Sequence, residues 1–288
     1  MKIKPLDYIL DNNDNFWIVK CIYNNNIYGE MVYKKMKKGR YNNITHKYYQ
    51  KVIINNKQRN HLIKHSNIKK IFYAQKFYRE NKSTIPTKWK KIFELLEKIG
   101  IKEKNIGIFG SYLIGFDLEK DIDIVVYNDE SYFLISDNID LIRKELNVTP
   151  ITDDHIKYQM AKYQHLYHKD NDLYTILKHN WVGLQFGHGV LSTIRFIKNN
   201  THYINMRGKN MQIIGEVIED KDTNYIPRVG VIKTSMGNIK VITYFWMFNS
   251  FLKKQEKVLI NGVYNKQKKE LYLYNDKHWI KYLKETNH

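Results

Sequence analysis

Cysteine occurs once in the 288 residues, at Cys21, and proline four times. A single thiol excludes an internal disulfide framework and any structural zinc site built on cysteines, which is the usage of a reducing compartment. Long apolar runs are also missing. The longest, Val241 to Phe248, is interrupted by Thr243 and is too short to span a bilayer. The opening Met1-Lys2-Ile3-Lys4-Pro5-Leu6-Asp7 has no apolar centre of the kind a secretory leader carries. The expectation is a cytoplasmic protein with no membrane partner. Acidic residues are scarce as well, with 29 Asp+Glu against 48 Lys+Arg and a net charge of +19. What is present is enough for a core. With 43% hydrophobic residues, a chain of this length buries roughly three quarters of its unfolded surface, in one large domain or two to three small ones.

The charge is uneven. From Lys34 to Lys82 there are fifteen Lys+Arg and one acid, Glu80, so this stretch carries +14 of the total. Aromatic residues are interleaved with it: Tyr48 and Tyr49 between Lys47 and Lys51, then Phe72, Tyr73, Phe77 and Tyr78 around Lys76 and Arg79. Cations that neutralise phosphates beside rings that stack on bases suit a nucleic-acid groove, and Lys47, Lys51, Lys76 and Arg79 are its candidates. The alternative is a solvated lysine-rich face with ordinary core aromatics. Between Asp117 and Glu130 the balance inverts, with six acids opposed by Lys120 alone. Carboxylates concentrated in a basic protein point to a bound cation.

Local patterns predict the elements. Phe16 to Lys35 reads as a hairpin turning at Asn24-Asn25-Asn26. Helices are expected between His46 and Ile54 and near Ile71 to Glu80. Trp89, Ile92, Phe93 and Leu96 recur at helical spacing between Pro86 and Gly100. A strand from Asn105 to Phe109, a Gly110-Ser111 turn, a brief helix through Gly115 and a strand from Asp121 to Tyr127 come next. One helix is expected from Glu130 to Leu146, and a helical region from Asp153 to His179. Strands are then expected at Leu191 to Ile197, Met211 to Glu219, Val229 to Lys233, Ile239 to Phe248, Lys257 to Tyr264 and Leu271 to Tyr274, the last two turning at Asn265 to Lys269.

The chemistry is concentrated in Gly110-Ser111-Tyr112-Leu113-Ile114-Gly115 and Asp121-Ile122-Asp123-Ile124. Strand alternation points Asp121 and Asp123 the same way, about 7 Å apart, where their oxygens can share hard cations. Gly110 allows close approach of a ligand to the backbone, and the amides and hydroxyl after it favour phosphate. Such a pairing suits nucleotidyl transfer by in-line displacement.

This segment resembles the active-site signature of the nucleotidyltransferase superfamily that includes DNA polymerase β, CCA-adding enzymes and poly(A) polymerases. Lys4-Pro5-Leu6-Asp7-Tyr8-Ile9 and the segment from Gly183 to Phe196 look similar to an archaeal-type group of stand-alone nucleotidyltransferase-like proteins. The resemblance implies that Gly110 and Ser111 hold the triphosphate of an NTP and that Asp121 and Asp123 are catalytic and bind Mg2+ or Mn2+. Active relatives place a third carboxylate on a neighbouring strand. Here Leu191 to Ile197 offers none and carries Arg195. Glu216 is the substitute, with Asp117 and Glu119 behind it.

The expected architecture is α+β. A polymerase β-like core at 84–198, a small mixed sheet with helices on one side, is flanked by an N-terminal β-hairpin and basic helical segment at 1–83 and a C-terminal β-rich domain at 199–288. The expected function is magnesium-dependent transfer of a nucleoside monophosphate onto an acceptor, with RNA favoured. The alternatives are a degenerate transferase that binds nucleic acid, and a transferase acting on a protein or small molecule. His165 and His168 share a helix face without a third ligand. Trp181, Phe186 and His188 suggest a base pocket or plain core.

Overall fold

The structure, a computed structural model, describes residues 2–23, 26–36, 41–43, 61–116, 122–163, 169–170, 172–179, 183–186, 190–198, 208–243, 248, 250–273 and 277–283. The helix expected at His46 to Ile54 lies outside them, as do Lys47, Lys51, Asp117, Glu119, Asp121, His165, His168, Trp181 and His188. The chain folds into two compact units, the first comprising Met1–Tyr48, Arg59–Pro150 and Val182–Thr201, the second the remainder.

The first unit begins with β1 (Tyr8–Asp11), β2 (Phe16–Tyr23), β3 (Asn26–Lys35), β4 (Tyr41–Asn43), β5 (His61–Ile63) and β6 (Ile68–Phe72). They form one antiparallel sheet in the order β4-β3-β2-β1-β6, with β5 also pairing β3. The expected hairpin is its centre. Ile9, Val19, Ile27 and Ile63 make its core. The expected helix at Ile71 to Glu80 is split: Ile68 to Phe72 is strand, and α1 (Ala74–Asn81) follows. Pairing with β1 keeps Ile71 and Phe72 extended, a long-range cause that helical spacing does not register. Next comes α2 (Thr87–Lys98), which buries Trp89, Ile92, Phe93, Leu95 and Leu96 on one face.

A second sheet follows, to which the first unit contributes β7 (Ile106–Phe109), β8 (Asp123–Tyr127), β9 (Gly183–Phe186) and β10 (Val190–Ile197). β8 runs antiparallel to β7 and parallel to β10, and β9 pairs back on β10. The sheet is small and mixed, as expected. Its cover differs from the expectation of helices on one side. Gly107, paired with Val125, faces the first residues of α1, since a Cβ there would lie 3.0 Å from the Ala74 carbonyl carbon. On the opposite face Phe196 packs edge-on against Tyr132 with ring centroids 4.9 Å apart. Both faces are therefore covered, which is what a buried parallel pair requires. Tyr132 belongs to α3 (Asp129–Asp137), and α4 (Ile139–Leu146) follows directly. The single helix expected here is broken at Asn138, whose side-chain amide donates to the Leu134 carbonyl at 2.8 Å and competes with the helical ladder.

The second unit contains α5 (Asp153–Tyr163) and α6 (Leu173–Lys178), then β11 (Lys209–Glu219), β12 (Tyr225–Ile226), β13 (Arg228–Thr234), β14 (Gly237–Thr243), β15 (Lys257–Asn265), β16 (Glu270–Leu273) and β17 (Trp279–Leu283). The pairings run β11-β13-β14-β16-β15, and β15 also pairs β11, so five strands close into a barrel, with β17 pairing β15 beyond the end of β16. Closure removes the open edges that a five-stranded sheet would otherwise expose. Its core gathers Ile213, Val217, Ile232, Ile239, Val241, Val258, Ile260, Leu271 and Leu273 with Phe248, Phe251, Leu252, Ile280 of β17 and Ile176 of α6.

Candidate functional site

Gly110 follows β7 with φ at +78°, and it lies against Asp123 on the neighbouring strand. A Cβ at this position would come 2.3 Å from Asp123 Oδ2, so glycine leaves room for the carboxylate where it stands. Asp123 stands at the start of β8 opposite Phe109 and is half-buried. The Gly-Ser turn and the second carboxylate of the sequence pattern are therefore adjacent. Asp121 lies outside the described residues.

The brief helix expected after Ser111 is a single 3-10 turn. It spans Tyr112–Ile114, Gly115 closes it at φ +79°, and the Phe116 amide donates back to the Ser111 carbonyl at 2.9 Å. Three residues do not supply the aligned amides of a helix N-terminus, so phosphate affinity here would fall to the turn itself and the Ser111 hydroxyl. Phe116 anchors the turn. Its ring lies 5.4 Å from Phe16, 5.0 Å from Tyr33 and 5.0 Å from Tyr41, all on the N-terminal sheet.

The strand expected to carry a third carboxylate is indeed the parallel neighbour of β8. Thr193 pairs with Asp123 and Arg195 with Val125, so Arg195 shares the face of Asp123. Arg195 is buried, which lowers its affinity for a proton, while the Asp123 carboxylate acts the other way. A positive guanidinium thus stands on the Asp123 face, on the strand where a third carboxylate was expected. The proposed substitute, Glu216, is exposed on β11 in the second unit, directly across from Lys233. In the basic stretch, Lys76 and Arg79 are exposed on α1, and Lys76 lies 3.7 Å from Glu80.

Sequence reasoning missed Tyr8. It is buried on β1, and its hydroxyl is held protonated far above its ordinary range, first by burial and then by Tyr33, Asp123 and Glu30. Nearby, Lys4 Nζ lies over the Tyr127 ring at 4.4 Å and donates to Gln75 at 2.7 Å. Asp7 accepts from the Lys4 and Ala74 amides at 2.8 and 2.9 Å. The block Lys4 to Ile9, whose last two residues open β1, thus lies beside the Asp123 face, and its only sequence signal was the resemblance.

No family model, curated protein or solved structure matches this chain. The site's meaning rests on its donor set. Among the described residues no three of His, Cys, Asp and Glu gather as a metal group. Asp123 contributes hard oxygen against the Gly110 backbone, which fits a hard cation, whereas Arg195 on the same face competes with one. Also among the described residues, no helix is long and apolar enough to cross a membrane.

Proposed function

We propose that the Gly110–Asp123 site handles the phosphates of a nucleoside triphosphate and transfers its nucleoside monophosphate onto an acceptor hydroxyl, with RNA as acceptor. The observation that carries this reading is the fit of Gly110 against the Asp123 carboxylate across β7 and β8. In the step, the acceptor oxygen bonds to the α-phosphorus, the bond from that phosphorus to the bridging oxygen breaks, pyrophosphate leaves and the hydroxyl proton passes to solvent. Asp123, with Asp121, would hold magnesium or manganese, which when bound supplies charge neutralisation at the phosphates. Ser111 would steady the leaving phosphates by its hydroxyl. Arg195 brings its buried guanidinium to the same face as Asp123.

Arg195 favours a second reading, a transferase-like fold that binds nucleic acid or nucleotide without turnover, the buried guanidinium replacing a cation. Label transfer from each α-labelled NTP onto RNA, with magnesium or manganese, separates the two. The first reading predicts labelled RNA that disappears in Asp123→Ala. Folded wild-type protein that labels no more RNA than Asp123→Ala would replace it with the second.

A further inference from the structure

The barrel closes in an order that leaves one of its ends basic. Numbered within the barrel, β11, β13, β14, β15 and β16 are strands one to five and pair as 1-2-3-5-4-1, antiparallel except between the third and fifth. Those are the order and directions of oligonucleotide-binding barrels, whose contact surface is the hairpin of strands two and three together with neighbouring loops, that between strands four and five among them.

Because β14 and β16 are parallel, the turns that precede them emerge side by side. Lys240 pairs with Glu270 and its amide donates to the Lys269 carbonyl at 3.0 Å. A Cβ on Gly237 would lie 3.9 Å from Lys269 Nζ. Lys266, Lys268 and Lys269 are exposed on the turn, Lys233 is exposed on the hairpin, and Lys240 is half-buried beside them. Among the described residues, two carboxylates stand at this end. Glu216 faces Lys233 across the strands and Glu270 accepts the Tyr272 hydroxyl, which leaves an excess of positive charge. Met236, 40% exposed at the hairpin tip, adds an apolar surface among the amines.

We infer that this end of the barrel, formed by the β13–β14 hairpin and the turn Lys266 to Lys269, holds the phosphate backbone of single-stranded RNA. The amines neutralise phosphates, while the hairpin tip offers contact to an unstacked base. This names where the acceptor of the proposed transfer would be held and rests on that reading only for the identity of the strand. Binding is measured without nucleotide, so loss of transfer and loss of binding are separate results.

The test is fluorescence anisotropy of the full chain with a labelled single-stranded 20-mer RNA at a series of salt concentrations. Lys266→Gln/Lys268→Gln/Lys269→Gln is compared with Lys98→Gln/Lys102→Gln/Lys104→Gln, which removes the same charge from exposed positions of the first unit. Three lost phosphate contacts lower the salt slope by about 2 and weaken binding about 10- to 100-fold at 0.1 M salt. The first-unit triple changes neither beyond the effect of net charge, and Lys→Arg at the three turn positions restores binding. Equal losses in the two triples, unchanged binding in the turn triple, or equal affinity of the site for anionic phosphatidylserine vesicles would overturn the inference.

Discussion

At Gly110 two separate physical effects forbid a side chain. The left-handed backbone costs an L-residue roughly 1–2 kcal/mol, and the Cβ would collide with Asp123 Oδ2. Gly110→Ala is expected to lose more stability in urea than the backbone effect alone predicts. In an Asp123→Ala background the colliding oxygen is gone and the nearest remaining atom is Cβ at 3.3 Å, so the loss shrinks to the backbone component. Equal losses in both backgrounds would show that the notch is not set by Asp123. The Gly-Ser turn and its neighbouring Asp were legible in the sequence because each needs only local geometry. Arg195 was visible as a residue and not as a partner, because its burial beside Asp123 depends on β10 arriving parallel to β8. Tyr8 was illegible for the same reason, its coupling to Asp123 being made by β1 rather than by sequence proximity.

At the scale of elements, the helix that follows β8 starts from an unusual cap. Asn128 has φ at +81°, and its side chain accepts from the Ser131 amide at 2.9 Å. Removing the cap by Asn128→Ala also forces alanine into that backbone, and a loss of about 1–2 kcal/mol is expected in chemical denaturation. Asn128→Gly keeps the conformation and should cost only a few tenths, about 0.3 kcal/mol. Equal losses for the two variants would refute this account of the cap. The element from Thr87 to Lys98 was legible from its own 3.6-residue spacing. The break at Asn138 was not, since nothing in the apolar pattern between Glu130 and Leu146 announces a side chain that competes with the helix.

At the scale of the whole molecule, the two units carry buried groups of opposite pH response. In the first unit, burial pushes Asp7 up from 3.8 to about 6 against its two amide donors and Lys4. The folded state there binds the proton more tightly than the unfolded chain, so this contribution falls as pH rises from 3.8 through about 6. In the second unit, burial pushes His179 and His278 down from 6.5 to about 4. Their contribution is present above 6.5 and is lost as pH falls towards 4, although the raised Glu256 beside His179 opposes it in part. Hydrogen exchange corrected for its intrinsic pH dependence should show protection around β1 and α1 declining from pH 4 to 6 while protection in the barrel rises. Asp7→Asn should flatten the first trend, and parallel trends in both units would contradict the assignment. Determined by the sequence alone were the basic excess, the α+β mixture, the central amphipathic helix, and a Gly-Ser turn and an Asp-bearing strand as separate local elements. All of these follow from composition or from spacing within one element. Only the tertiary structure decided that β10 brings arginine to the Asp123 face, that β1 sets Tyr8 beside it, and that the C-terminal strands close into a barrel with lysines gathered at one end. Those outcomes depend on pairings between distant strands, whose partners no local pattern specifies.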